Sequence, residues 1–186
     1  LAGYYYKYKN KQETVFNTGL ALFSNADAKA WGLEAEITVR PFEGLTLASQ
    51  LALFDGEYTN YDDCGAGGVS CTGNTLPNAP KFAAQFSAEY AFEIGGRKAS
   101  IQGGADYRTR TRLDPLGKSY LTIPSYWLIN ARGSVEAFNG VTFSLWAKNI
   151  ANKRYFYDTF NVSDYGFAEG APGEPRTFGA AIGVHF

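Results

Sequence analysis

The chain has 186 residues, with 17 Lys+Arg against 18 Asp+Glu, 13 Tyr, 14 Phe, 21 Gly, one His and no Met. The balanced charge gives no basic stripe and excludes the electrostatic footprint of a nucleic-acid binder. No run of about 18 apolar residues is present to make a transmembrane helix; a spanning strand, which needs only about 9–11 residues with every second one facing lipid, is compatible with this composition, and so is a soluble protein.

Aromatic and glycine content in short alternating segments favours an all-β chain. The chain opens at Leu1 without a Met and enters strand-like sequence at once, as a piece of a longer protein or a mature chain would. The first strand is read at Tyr4–Lys9, with Tyr4, Tyr6 and Tyr8 alternating with Tyr5, Lys7 and Lys9. It gives way to Gln12-Glu13-Thr14 and a polar stretch read as a loop over roughly 14–27. The second strand is the clearest. Trp31, Leu33, Ala35, Ile37 and Val39 take one face and Gly32, Glu34, Glu36, Thr38 and Arg40 the other, the period of two of a strand with one apolar side. Pro41-Phe42-Glu43-Gly44 makes a tight turn, Pro ending the pairing and Gly supplying a permissive backbone.

A third strand, with Leu45, Leu47, Leu51 and Leu53 on its apolar face, runs to about Tyr58. At about 3.3 Å per residue it reaches about 46 Å, nearly double the apolar band of an outer-membrane barrel, so it projects beyond the membrane. Residues 61–79 form a long loop holding Asp62-Asp63 and both cysteines. The fourth strand alternates Phe82, Ala84, Phe86, Ala88, Tyr90 and Phe92 against Gln85, Ser87 and Glu89, and turns at Gly95-Gly96. The fifth sets Ala99, Ile101, Gly103, Ala105 and Tyr107 against Asp106, Arg108 and Arg110. After a loop around Asp114-Pro115-Leu116-Gly117, the sixth carries Trp127, Ile129, Ala131, Val135 and Ala137. Asn139-Gly140, a strong hairpin signal, leads to the seventh, with Val141, Phe143, Leu145 and Ala147. A loop of about 25 residues precedes the closing strand, where Phe178, Ala180, Ile182, Val184 and Phe186 alternate to the end of the chain.

The eight strands form hairpins whose connections alternate in length. They are short at 41–44, 93–97 and 139–140 and long at roughly 14–27, 60–79, 111–123 and 150–175. Short turns on one rim and long loops on the other mark a bacterial outer-membrane barrel, with both chain ends on the periplasmic rim. The reading is therefore an antiparallel transmembrane β-barrel of about eight strands, apolar faces toward lipid and charges such as Glu34, Glu36, Asp106, Arg132 and Lys148 toward the lumen. Trp31, Tyr58, Phe92, Tyr107, Trp127 and Phe186 suit aromatic girdles at the two interfaces.

Cys64 and Cys71, in one loop of an exported chain, most simply form a local disulfide; a metal site would need more ligands than Asp62 and Asp63. Gly117-Lys118-Ser119 resembles the end of a phosphate-binding loop, but Arg112 stands where that motif requires Gly. His185 has no second ligand or catalytic partner in view, so no cofactor, metal or catalytic residue is expected. Arg108, Arg110 and Arg112 alternate as the fifth strand climbs to its loop. They would either balance neighbouring carboxylates or draw an anionic ligand, such as a ferric chelate, to the upper lumen.

Several segments together resemble the carboxy-terminal part of the TonB-dependent outer-membrane receptors. They are Trp31-Gly-Leu-Glu-Ala-Glu36, Pro41-Phe-Glu-Gly-Leu45, Leu76-Pro-Asn-Ala-Pro-Lys81, Tyr126-Trp-Leu-Ile-Asn-Ala-Arg132, Leu145-Trp-Ala-Lys-Asn-Ile150 with Lys153-Arg-Tyr155, and Gly173-Glu-Pro-Arg-Thr-Phe178. Each is weak alone; six in order across nearly the whole chain are specific. The resemblance implies a barrel of about 22 strands, of which residues 1–186 would be the last eight, without the plug domain and TonB box. It implies an outer-membrane receptor of a Gram-negative bacterium for TonB-dependent uptake of a scarce nutrient, most often a ferric siderophore. The implied partners are the outer-membrane bilayer, a small-molecule nutrient, the TonB complex acting on the plug, and the barrel-assembly machinery reading Phe186. Ligand-contact candidates are Arg110, Arg112, Tyr155 and Tyr157. The competing readings are a self-contained eight-stranded outer-membrane barrel with a structural or adhesive role, and a soluble ligand-binding barrel. In the fragment reading, the first and last strands are open edges.

Overall fold

The computed structural model describes residues 1–17, 20–64, 68–138, 140–162 and 166–185. Among the described residues twelve strands follow in chain order: β1 (Ala2–Asn17), β2 (Leu20–Val39), β3 (Leu45–Asn60), β4 (Phe82–Ile94), β5 (Arg97–Arg108), β6 (Thr111–Arg112), β7 (Thr122–Ile123), β8 (Tyr126–Phe138), β9 (Val141–Lys148), β10 (Phe156–Val162), β11 (Phe167–Pro172) and β12 (Thr177–Val184). Eight of them build one antiparallel sheet in the order β1-β2-β3-β4-β5-β8-β9-β12. The pairs β6–β7 and β10–β11 are small ribbons inside the long connections.

Each short turn has a local cause. Gly44 takes φ 84°, and its carbonyl accepts the Ala91 amide at 2.8 Å, binding the turn to β4. Gly95 and Gly96 both have positive φ, 57° and 72°, as a two-residue hairpin turn demands. Gly140 (φ 77°) accepts the His185 amide at 2.7 Å, so His185 continues the sheet at the rim. Asn139 and Phe186 lie outside the described residues.

Register carries the apolar side across the sheet without a break. Leu33 pairs with Leu53, and Leu53 with Phe82. Ala84 pairs with Tyr107, and Tyr107 with Trp127. Val135 pairs with Phe143, and Phe143 with Ile182. Because side chains alternate, one shared register puts every apolar row on one side and every polar row on the other. On the polar side Glu36 pairs with Gln50, Gln50 with Gln85, and Gln85 with Asp106. Among the described residues no second layer covers the apolar side, where Ile37, Ile101, Leu145 and Ile182 are all exposed. An apolar sheet face of this extent needs a nonaqueous partner.

Among the described residues β1 and β12 do not pair, so the sheet is open with a free edge at each end. That agrees with the expectation of open edges and runs against a self-contained eight-stranded barrel.

Three readings need correction. The loop expected over 14–27 is strand over residues 14–17 and 20–27, residues 18 and 19 lying outside the described ones: β1 and β2 pair from Ala2 with Glu34 up to Asn17 with Leu20, broken by one shift between Tyr8 and Lys11. Beyond the apolar band both sides of a hairpin meet water, so its period of two disappears while its hydrogen bonds persist. The connections at 111–123 and 150–175 likewise contain the ribbons β6–β7 and β10–β11. Tyr58 is no girdle residue. It pairs with Ala28 on the polar side and is fully buried beside Tyr61, Cys64 and Cys71.

Candidate functional site

The polar side of the sheet is the concerted chemical surface. Asn130 Nδ2 donates to Asp106 Oδ2 at 3.3 Å, Arg132 Nη2 to Ser144 Oγ at 2.9 Å, and the Ser100 and Ser134 hydroxyls meet at 2.7 Å. Glu34, Glu36, Gln50, Gln85 and Asp106 edge a recess of about 390 Å³. Cross-strand partners thus hold one another in fixed rotamers, leaving a polar wall with acids and amides facing out.

Above it, Tyr4, Tyr6 and Tyr8 form a ladder on the same side, with ring centroids 5.2 and 6.0 Å apart. Their cross-strand partners are Gly32, Ala30 and Ala28, so the rings have room to lie over the neighbouring strand. The Tyr4 ring occupies the space a Cβ at Gly32 would take, 2.3 Å from Tyr4 Cζ. Sequence reading found this aromatic row but not its side; the signal was the run of small residues at Ala26, Ala28, Ala30 and Gly32.

The upper end is capped by a knot of loop residues. Tyr58 and Tyr61 rings sit 4.8 Å apart over Ala26 and Ala28, with Leu76 and Leu116 against them. Tyr58 donates to Glu13 Oε1 at 2.8 Å, and the Ser24 hydroxyl donates to the Tyr61 oxygen at 3.1 Å. Burial, with the Glu13 carboxylate second, pushes the Tyr58 hydroxyl far above the ordinary tyrosine range; burial also raises Tyr61. Cys64 and Cys71 stand in this knot with Cα atoms 5.8 Å apart, the spacing of a disulfide.

Loop 61–79 is fastened to the loop after β5. Asn74 Nδ2 donates to the Pro115 carbonyl at 2.9 Å and the Asn78 amide to the Arg112 carbonyl at 2.8 Å. Asp114 is buried; its Oδ1 accepts the Lys118 amide at 3.0 Å, while Oδ2 has no partner among the described residues. Desolvation accordingly lifts its carboxyl above the usual range.

The arginines do not form one straight row. β5 ends at Arg108 because Thr109 turns its side chain back to the β4 start, where the Phe82 amide donates to Thr109 Oγ1 at 3.0 Å. Arg108 lies 5.8 Å from the Tyr126 ring centroid and donates to its hydroxyl at 3.2 Å. Arg110 is exposed, and Arg112, in β6, donates to Thr75 Oγ1 at 3.4 Å. The Tyr155 ring lies against that of Tyr126, centroids 4.7 Å apart and planes tilted by 32°, whereas Tyr157 is exposed. Among the described residues no three His, Cys, Asp or Glu are grouped to hold a metal.

This sheet, with its unbroken apolar side and its long connections at one end, is matched by a known family. A sequence model described as TonB dependent receptor-like, beta-barrel, covers residues 1–150. The chain belongs to the TonB-dependent receptor family. Solved structures agree on the fold. The ferric yersiniabactin uptake receptor FyuA from Yersinia pestis superposes with a TM-score of 0.77 at 19% identity, over 89% of this chain and 25% of that one. The ferric-catecholate import receptor Fiu from E. coli K12 gives 0.72 at 22%, over 98% and 24%. The copper transporter OprC gives 0.72 at 19%, over 99% and 28%. The chain therefore spans about a quarter of the length of these receptors.

As a TonB-dependent receptor segment, its sequence motifs acquire a structural meaning. Asn149, just after β9, has φ 47° and is buried. Its Nδ2 donates to the carbonyls of Lys153 (2.9 Å) and Glu174 (3.0 Å), and its Oδ1 accepts the Lys153 amide at 2.9 Å. The Tyr155 ring fills the space over Gly173, 2.0 Å from where a Cβ would stand. The segments 145–155 and 173–178 thus form one clasp that closes the base of the β10–β11 ribbon.

Proposed function

We propose that residues 1–186 are the carboxy-terminal eight strands of a TonB-dependent receptor barrel that imports a ferric siderophore across a Gram-negative outer membrane. The observation that carries this reading is the single register that separates a continuous apolar side from a polar, acid- and amide-bearing one. The apolar side faces lipid; the polar side faces a lumen and whatever fills it. Two of the three receptors compared above import ferric chelates, and this supports iron over copper.

In this reading the chain is wall and vestibule of a transporter and performs no bond-making chemistry. The plug, and the TonB complex that acts on it, belong to the remainder of the receptor, and Phe186 addresses the barrel-assembly machinery. Arg110 and Tyr157, both exposed at the loop end, are the ligand contacts of choice, with the Tyr4, Tyr6, Tyr8 ladder below them. Arg112 and Tyr155 join them as candidates whose positions are fixed by Thr75 and by Tyr126. Cys64 and Cys71 are oxidised in this setting and staple the loop that bears on Arg112.

Uptake decides the matter. Cells lacking the full-length receptor, starved of iron, are offered radiolabelled iron on a panel of siderophores. Loss of import for one chelate class, restored by the gene, supports the proposal. Normal import of every chelate, with a defect in another nutrient such as copper, would overturn the siderophore assignment.

A further inference from the structure

Several aromatic rings on the polar side of the sheet are engaged by their neighbours. Tyr58 and Tyr61 pack into the knot, Tyr126 lies between Arg108 and Tyr155, and the Trp146 ring fills the space over Gly179. Tyr6 and Tyr8 differ: they are 49% and 44% exposed. The pose of the ladder decides which part of each ring is open. Tyr4 lies across Gly32, and the successive ring planes are inclined by only 39° and 33°. Tyr6 and Tyr8 therefore repeat that pose over their cross-strand partners Ala30 and Ala28, each 2% exposed. One face of each ring rests on alanine and the other is open to the polar side. The face of an aromatic ring carries the negative lobe of its quadrupole and attracts cations.

Fixed charge on this side has the same sign. Glu34 stands at the foot of the ladder opposite Ala2, with Glu36 beyond it on the same side, and among the described residues neither is in an ion pair. Lys7 and Lys9 alternate in sequence with the rings, and Lys11, at the head of the ladder, is neutralised by Glu13. Along the row from Glu34 through Ala52 and Ala83 the first cation is Arg108. It lies three strands away, about 14 Å, and is held against Tyr126. An anion approaching the ladder meets two negative ring faces and a carboxylate; an organic cation is drawn by all three.

We propose that the open faces of Tyr6 and Tyr8, with Glu34 at their foot, bind an organic ammonium group of the imported ligand. The ligand class is then a metal chelate charged at both ends, its anionic metal-binding head toward exposed Arg110 and a cationic tail on the ladder. The inference rests on the reading of this chain as the wall of a chelate importer, and it names a feature of the cargo.

The test uses purified full-length receptor in a maltoside detergent and two probes of one shape. They are choline and its uncharged tert-butyl analogue, in which carbon replaces nitrogen. Binding is titrated by saturation-transfer NMR. The native receptor should bind choline about 5- to 30-fold more tightly than the analogue, from two cation–π contacts. Tyr6→Leu/Tyr8→Leu should level the two probes, and Glu34→Gln should weaken choline alone. Equal binding of both probes by the native receptor, or an unchanged preference in the double leucine variant, overturns the proposal. Should that variant not fold, Tyr6→Phe/Tyr8→Phe serves instead: it keeps the ring faces and should keep the preference, and its loss would assign binding to the hydroxyls and overturn the site. In the iron-uptake assay above, excess choline should slow import of the chelate and the analogue should not; equal effects would overturn the assignment of the ammonium to the cargo. Import of no ferric chelate, with the choline preference intact, would refute the siderophore reading and support the cation site, a distinct outcome.

Discussion

Replacing Leu51 by arginine should damage the barrel far more than replacing its neighbour Gln50. Leu51 pairs with Ala35 on one flank and Ala84 on the other, in the middle of the apolar side. It stands six residues above Leu45, about 20 Å along the strand. At a tilt of about 45° that is about 14 Å of height, close to the midplane of an apolar band about 25 Å tall. A cation there costs about 2–4 kcal/mol, or about 25- to 700-fold in the folding equilibrium. Gln50 instead pairs with Glu36 and Gln85, so an arginine at that position finds water and a carboxylate. Its cost should fall within about 0.5 kcal/mol. The assay is urea-titrated folding of the full-length receptor into lipid vesicles, read by the gel mobility of unboiled samples. Equal losses at the two positions, or a larger loss at Gln50, would refute the assignment of the two sides.

Asn149→Ala removes three side-chain hydrogen bonds and leaves alanine at φ 47°, a cost of about 2–4 kcal/mol to the clasp; limited proteolysis should cut the 149–176 connection readily, and native-like resistance would contradict it. Gly44→Ala should destabilise by at least about 1–2 kcal/mol, since φ is 84° and the new Cβ would lie 2.2 Å from the Ala91 carbonyl oxygen. Gly103→Ala, with open space around its Cβ, should be neutral or slightly stabilising in the same unfolding titration. Asp114 tests pH. Burial holds its carboxyl above the ordinary 3.8, so the folded loop takes up a proton more readily than the unfolded one. Its charged form therefore penalises the fold above the raised value, and the penalty fades as pH falls through that value toward 3.8. Asp114→Asn should slow amide exchange over 113–121 at neutral pH, with the advantage vanishing in acid; faster exchange at neutral pH would contradict it.

The parts of the fold legible in the sequence are those where the two sides of a strand meet different media. Residues 31–39, 45–53 and 141–148 alternate because one side is apolar and the other polar, and their strands lie where the period of two puts them. The upper half of β1–β2 was opaque for the opposite reason, since both of its sides meet water or other loop residues. Tyr58 looked like an interfacial aromatic from its place at the end of the strand, although the unbroken alternation from Leu53 puts it on the polar side; its burial comes from Tyr61 and the cysteines of the following loop. The site divides the same way. Charged residues of the polar side could be read from alternation alone, but the interruption at Thr109, which separates Arg108 from Arg112, depends on a contact with Phe82 distant in sequence. Tyr155 carried a family motif whose content is steric, a ring over Gly173, and no local pattern announces a contact across 18 residues.

The orientation of the whole assembly can be read from one loop. A membrane-impermeant maleimide is applied to intact cells expressing the full-length receptor after mild reduction, and the peptide spanning Cys64 and Cys71 is isolated by mass spectrometry. The account predicts that this peptide is labelled in intact cells once reduced, and protected without the reductant. Labelling that requires the outer membrane to be opened first would place the long connections on the periplasmic side and contradict it.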